Sequence, residues 1–289
     1  MKRVDSDVGR ALRSFWNPER RQNSSLFVTT SWDDGHPADL RVADLLDKHG
    51  LNGTFYIPCS NSEGRPVMSS SDVTELARRF EIGGHTQTHI SLTQISPSIA
   101  ANEIRVNKRR LEDLTGREIC GFAYVRGQHN RVVRGLVEQA GYRYARTVKN
   151  LTTSPGYDRF QIPTTAQFFA HAKSTYIRNY LSMGPTLERT AILASVLKSG
   201  PLTARLMEAA QASANLGGYF HLWGHSWEIN EFDLWKELDH FLGRLRTLRA
   251  HFVNNAAWCA SLTTVAAVQT SAFTKASLTG SPNRNQPGY

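Results

Sequence analysis

Two adjacent carboxylates, Asp33 and Asp34, follow the run Val28-Thr29-Thr30-Ser31-Trp32 and precede Gly35. Like charges side by side repel when they share one environment, but consecutive residues of extended backbone point to opposite sides, so the two can hold different roles. About fifty residues on, "GGHTQTH" places His85 and His89 four apart behind a glycine pair. That spacing lets two imidazoles converge on one ion from a tight turn or a helical turn, and imidazole with carboxylate is a ligand set for zinc, iron or cobalt. With Asp34, the histidines supply three protein ligands and leave positions open for water, the pattern of a hydrolytic rather than a closed structural site. Asp33 then stands beside the ion, where it can accept a proton from water whose pKa the cation has lowered. The third piece is "FHLWGHS", 220–226. In a strand its His221, Trp223 and His225 share one face, and His225 falls at the C-terminal end, placed as general acid for a departing amine. Each piece also has a plainer account. The aspartate pair could cap a helix beginning near Pro37, and His225 could be hydrogen-bonded in a packed strand.

The elements that must position these residues alternate in type. "LFVTTSW" reads as a strand and "PADLRVADLLDKHG" as a helix, with Val42, Leu45 and Leu46 on one face and Gly50 at its close. "GTFYIP", "EIGGH", "EICGFAY" and "YRYART" are further strands; "SDVTELARRF", a longer helix opened by Ser96-Pro97, and one near 129–140 lie between them. Strands alternating with helices predict parallel pairing, hence an α/β doubly wound sheet or a (β/α) barrel, with both polar motifs at C-terminal strand ends, where such folds collect their chemistry. Residues 172–215 break the alternation: they are Ala- and Leu-rich, interrupted by "SGPLT", and read as a helical insertion. "GGYFHLWGHSW" returns to strand, and Leu234, Leu238, Phe241, Leu242 and Leu245 mark a last amphipathic helix.

The chain of 289 residues, 40% hydrophobic, is long enough for a substantial core. Residues 1–24 read as a polar lead-in, 25–269 as the catalytic domain, and 270–289, rich in Ser, Thr, Gly, Pro and Asn, as a flexible tail. Cys59, Cys120 and Cys259 show neither pairing nor metal-type spacing, which fits a reducing compartment. No apolar run has the length of a secretory leader core or a membrane span, so a cytoplasmic location is expected. The net charge of +9 is scattered, without the aromatic-basic stripe of an RNA platform, and no nucleic-acid partner is expected.

"TSWDDG", "GTFYI", "EIGGHTQTH" and "LWGH" stand in the order and approximate spacing of the NodB-homology polysaccharide deacetylases, carbohydrate esterase family 4, which the chain resembles over 25–147 and 217–228. The resemblance implies a distorted (β/α) barrel, here with a helical insertion, and a divalent cation, commonly zinc, on Asp34, His85 and His89. It implies Asp33 as general base, His225 as general acid and an acetylated carbohydrate as substrate, metal-bound water attacking the acetyl carbonyl. Two departures stand out. Aligning "FAYVRG", 122–127, with the family's "FRPPYG" puts Ala123 where an arginine normally steadies the base and Arg126 where an aromatic residue stands. Arg126 still has a backbone N–H for an oxyanion. Tyr124 and Trp227 are candidate substrate contacts, Trp227 by stacking on a sugar, with ordinary packing as the alternative. No Asp-Trp pair follows "YARTVKN" to orient the acid; Trp223, Trp227 and Glu228 surround His225 instead. The altered motif keeps open an amidase or O-acetyl esterase with the same metal site, and a binding module that has lost catalysis.

Overall fold

The computed structural model describes residues 26–261 apart from 155, 157 and 217. The lead-in over 1–24 and the tail over 270–289 lie outside them. β1 (Leu26–Asp33) is buried along its whole length because it is central. Its parallel partners are β2 (Thr54–Ile57), β7 (Tyr219–His225) and β8 (Ala250–Phe252). The sheet runs outward through β3 (Glu81–Gly84), β4 (Gly121–Ala123) and β5 (Tyr144–Arg146) on one side and to β6 (Ala166–Gln167) beyond β7 on the other. Irregular chain joins the two ends. Ile162 bridges Arg146, Thr147 N–H donates to the Ile162 carbonyl, and Thr165 N–H donates to that of His221. The result is the expected distorted α/β barrel. β6 and β8, of two and three residues, are too short to show a period and were not foreseen.

Outside the sheet lie α1 (Asp39–Lys48), α2 (Ser70–Arg79), α3 (Pro97–Thr115) and α4 (Arg131–Gln139). Then come α5 (Lys173–Ser182), α6 (Leu187–Leu197) and α7 (Leu202–Leu216), the three helices of the Ala- and Leu-rich stretch, and α8 (Ser226–Glu231) and α9 (Trp235–Arg246). Ser69 and Asp72 form a capping box on α2, and Ser96 caps α3 ahead of Pro97. α1 has Ala38 as N-cap and no side-chain cap, so neither Asp33 nor Asp34 is occupied there.

The pleat sorts the strands into two unlike faces. Val28, Trp32, Phe55, Ile57, Phe122, Phe220 and Leu222 face the helices and join one large apolar core. The alternate positions point into the lumen, which is largely polar. There His221 bonds Thr29 and Ser31, and Glu81 accepts from Tyr144 and Thr54. "TTSWD" is therefore strand, with Trp32 outside and Thr29, Ser31 and Asp33 inside.

Candidate active site

Asp33 ends β1 inside the barrel, paired laterally with Tyr56 on β2 and His225 on β7. Residues opposite one another in a ladder share a face, which brings the expected base and acid to one side. Asp34 turns away through a left-handed backbone, φ 76°. Gly35 follows at φ 60°, where a Cβ would come 2.7 Å from Ile57 Cγ2. Thr86, His89 and Arg126 also have positive φ, so four of the six such non-glycine residues among those described cluster here, as expected where surroundings hold strained backbone for function. The glycine pair before His85 admits a tether. A Cβ at Gly84 would meet Tyr142 Oη at 2.1 Å and Asn107 Oδ1 at 2.7 Å. Asn107, fully buried on α3, instead accepts from His85 N–H and donates to the Ile57 carbonyl, fixing the ends of β2 and β3 together.

One atom each of Asp34, His85 and His89 lie within 4.8 Å of one another, and all three residues are buried. His85 Nδ1 lies 2.8 Å from the Ala123 carbonyl. A carbonyl can only accept, so Nδ1 carries the proton and Nε2 presents its lone pair. Asp34 divides its oxygens: Oδ2 accepts from Trp227 Nε1 at 2.8 Å, while Oδ1 has no hydrogen-bond partner and faces Nε2 of His89 at 2.9 Å and of His85 at 3.5 Å. A buried carboxylate oxygen left without a donor, with two imidazole nitrogens turned on it, fits a cation. Burial alone would raise the Asp34 carboxyl, but the imidazoles of His85 and His89 and the charge of His225 hold it below the usual range, as a ligand requires.

His225 lies across from this group, Nε2 4.0 Å from Asp34 Oδ2, and its Nδ1 lies 2.9 Å from Glu228 Oε2. Burial opposes the imidazolium, but Glu228 and the charge of Asp34 outweigh it and push the pKa to about 9. Glu228 in turn accepts from Gln167, whose Oε1 lies 2.7 Å from His171 Nε2. Of the three residues expected around His225, Glu228 is the one that meets its Nδ1.

The remaining candidates fall differently. Tyr124 is 1% exposed, donates to the Phe160 carbonyl and stacks on His129, so it belongs to packing rather than to the cavity. Arg126 sits at the rim and pairs with Glu63 at 2.8 Å. Trp227 lines the cavity, but its ring already stacks with His225 and carries the Arg65 guanidinium 3.3 Å from its centroid. Its indole N–H holds Asp34, a role the sugar-stacking expectation did not include. The cavity, about 390 Å³, has the metal-type triad, Asp33 and His225 on one side and Asn150, Gln167, His171, Thr175 and Asn179 on another. The insertion supplies the last two. Arg146 was missed, although a charged residue at the end of the buried strand "YRYART" was its visible signal.

The polysaccharide deacetylase family model matches residues 20–145. Over those residues the chain is similar to that family, and they are less than half of its length. A search of curated proteins gave no match. Among solved structures, the Xyl-CE4 domain of a multidomain xylanase from the hindgut metagenome of Trinervitermes trinervoides is 15% identical. It covers 80% of this chain and 87% of its own, at TM-score 0.51. A Mycobacterium smegmatis protein assigned to the polysaccharide deacetylases is 12% identical at TM-score 0.60, covering 92% of this chain and 96% of its own. A CE4-family pseudoenzyme from Bacillus anthracis is 14% identical at TM-score 0.50, covering 81% and 66%. At these identities the likeness is one of fold, and a fold shared with a pseudoenzyme leaves catalysis to be argued from the candidate site itself.

Proposed function

We propose that the chain is a metal-dependent hydrolase that removes acetyl groups from an N-acetylated oligo- or polysaccharide. The observation that carries this reading is the unpartnered Asp34 Oδ1 facing the two histidine Nε2 atoms. Asp34, His85 and His89 would hold a divalent cation, and their nitrogen and oxygen donors suit zinc. Bound there, such an ion supplies Lewis acidity that polarises a carbonyl and eases deprotonation of water. Asp33 takes that proton. His225, protonated at neutral pH, donates one to the departing amine nitrogen from Nε2, since Glu228 engages Nδ1. The Arg126 backbone N–H is the donor proposed for the developing oxyanion, its side chain being directed to Glu63.

Purified protein should hold about one divalent ion per chain and release acetate from N-acetylglucosamine oligomers. Chelation, Asp34→Ala and His85→Ala should remove metal and turnover together. Asp33→Asn should keep the metal and lower kcat by about 10³-fold. Full turnover both after chelation and in Asp33→Asn overturns the reading. Part of the cavity wall, Asn150 to Asn179, lies outside the matched segment, so the substrate is open to a second reading. Turnover of cyclic amides or O-acetyl esters alone would mark an amidase or esterase using the same site.

A further inference from the structure

The resemblance puts an arginine beside the base at the position of Ala123 in "FAYVRG", yet Asp33 is not without a cation. Arg146, fully buried, donates from Nη2 to Asp33 Oδ1. We propose that Arg146 is the positioning residue of the base: the guanidinium has moved from β4 to β5, and position 123 is small because Arg146 occupies its place. The proposal rests on the reading of Asp33 as base given above.

The register supports the relocation. Ala123 and Arg146 are lateral partners on β4 and β5, so their side chains leave the same face into the lumen. The sheet order β5-β4-β3-β2-β1 puts three strands between Arg146 and Asp33. The contact is therefore made across the lumen rather than along the sheet. The guanidinium lies 5.2 Å from the ring centroids of both Tyr56 and Trp223. Such contacts fix its plane and offset part of the cost of burying it. Arginine suits the site because it stays charged where a lysine can lose its proton. With Oδ1 engaged by Arg146, Oδ2 is the Asp33 oxygen left to receive a proton.

The alternative is a structural ion pair inside the barrel, and kinetics separates the two. Arg146→Met, similar in length and uncharged, should lower kcat about 100-fold with KM within about threefold and metal content unchanged. The double variant Asp33→Asn/Arg146→Met should fall no further than Asp33→Asn alone, because Arg146 acts through Asp33. Ala123→Arg/Arg146→Ala, which returns the guanidinium to β4, should recover at least about tenfold of the loss seen in Arg146→Ala. Arg146→Met with wild-type kcat overturns the proposal, as does a further loss in the Asp33→Asn background. A wild-type chain that binds metal and turns over no acetylated substrate counts instead against the deacetylase reading. Thermal unfolding of the same wild-type, single and double variants then decides the pairing. Tm losses that fail to add support it, and additive losses overturn it.

Discussion

At the residue scale the site depends on which atom of each side chain is already taken. Trp227 and the Ala123 carbonyl take one atom each of Asp34 and His85, and the partners left over converge on one point. His225 is governed by Glu228 in the same way, and this gives a signed expectation. A general acid works while protonated, so turnover should fall as pH rises through the His225 pKa, about 9 in the metal-free chain. Glu228→Gln removes the anion that raises it, so the alkaline limb of the kcat profile should move to lower pH. A limb that stays in place would show that another group is titrating. The candidate ligands, base and acid could be named from the sequence because each sits in a short local motif, "DDG", "HTQTH" or "WGH". Arg146 could not be named so, because it belongs to no such motif: its partner lies 113 residues away in sequence, and only barrel closure brings the two together. Tyr124 shows the converse: lying near the motif in sequence, it packs away from the cavity, which is the packing alternative of its two readings.

At the element scale, strand ends do the positioning and helices brace them. Alternation of strands and helices disclosed parallel pairing, but it could not disclose that the inner face is polar, since a strand buried on both sides shows no solvent-facing side to read. Asn107 is the clearest brace, serving His85 N–H and the Ile57 carbonyl from α3. Asn107→Ala leaves both groups buried and unpaired. It should cost about 2–3 kcal/mol in urea unfolding and loosen metal binding, measured by competition with a chelator. Gly84→Ala, which must push aside Tyr142 and Asn107, should destabilise by about 1–3 kcal/mol. Wild-type stability in both variants would show that the turn before His85 tolerates rearrangement.

At the scale of the whole molecule, the insertion is tied to the site. Arg189 on α6, 3% exposed, donates to the carbonyls of Asn179, Tyr180 and Gly184 at the end of α5 and to that of Asn150. It thus locks together the wall that carries Asn150, Thr175 and Asn179. Arg189→Met should raise KM severalfold while leaving kcat within about twofold, because the reacting groups are elsewhere. An equal fall in kcat would place the insertion in the chemical step. No helix of the described residues is long and apolar enough to cross a membrane.

The family-matched stretch ends at Ala145, one position before the guanidinium that meets Asp33 across the lumen. Trimming the gene to that stretch would keep both aspartates and both ligand histidines. It would discard Arg146, His225 and the strand running along β1 from Phe27 to Asp33. Such a fragment should lack turnover even when supplied with zinc, so the smallest unit that keeps the candidate site together is set by ring closure and is longer than the stretch that the family model matches.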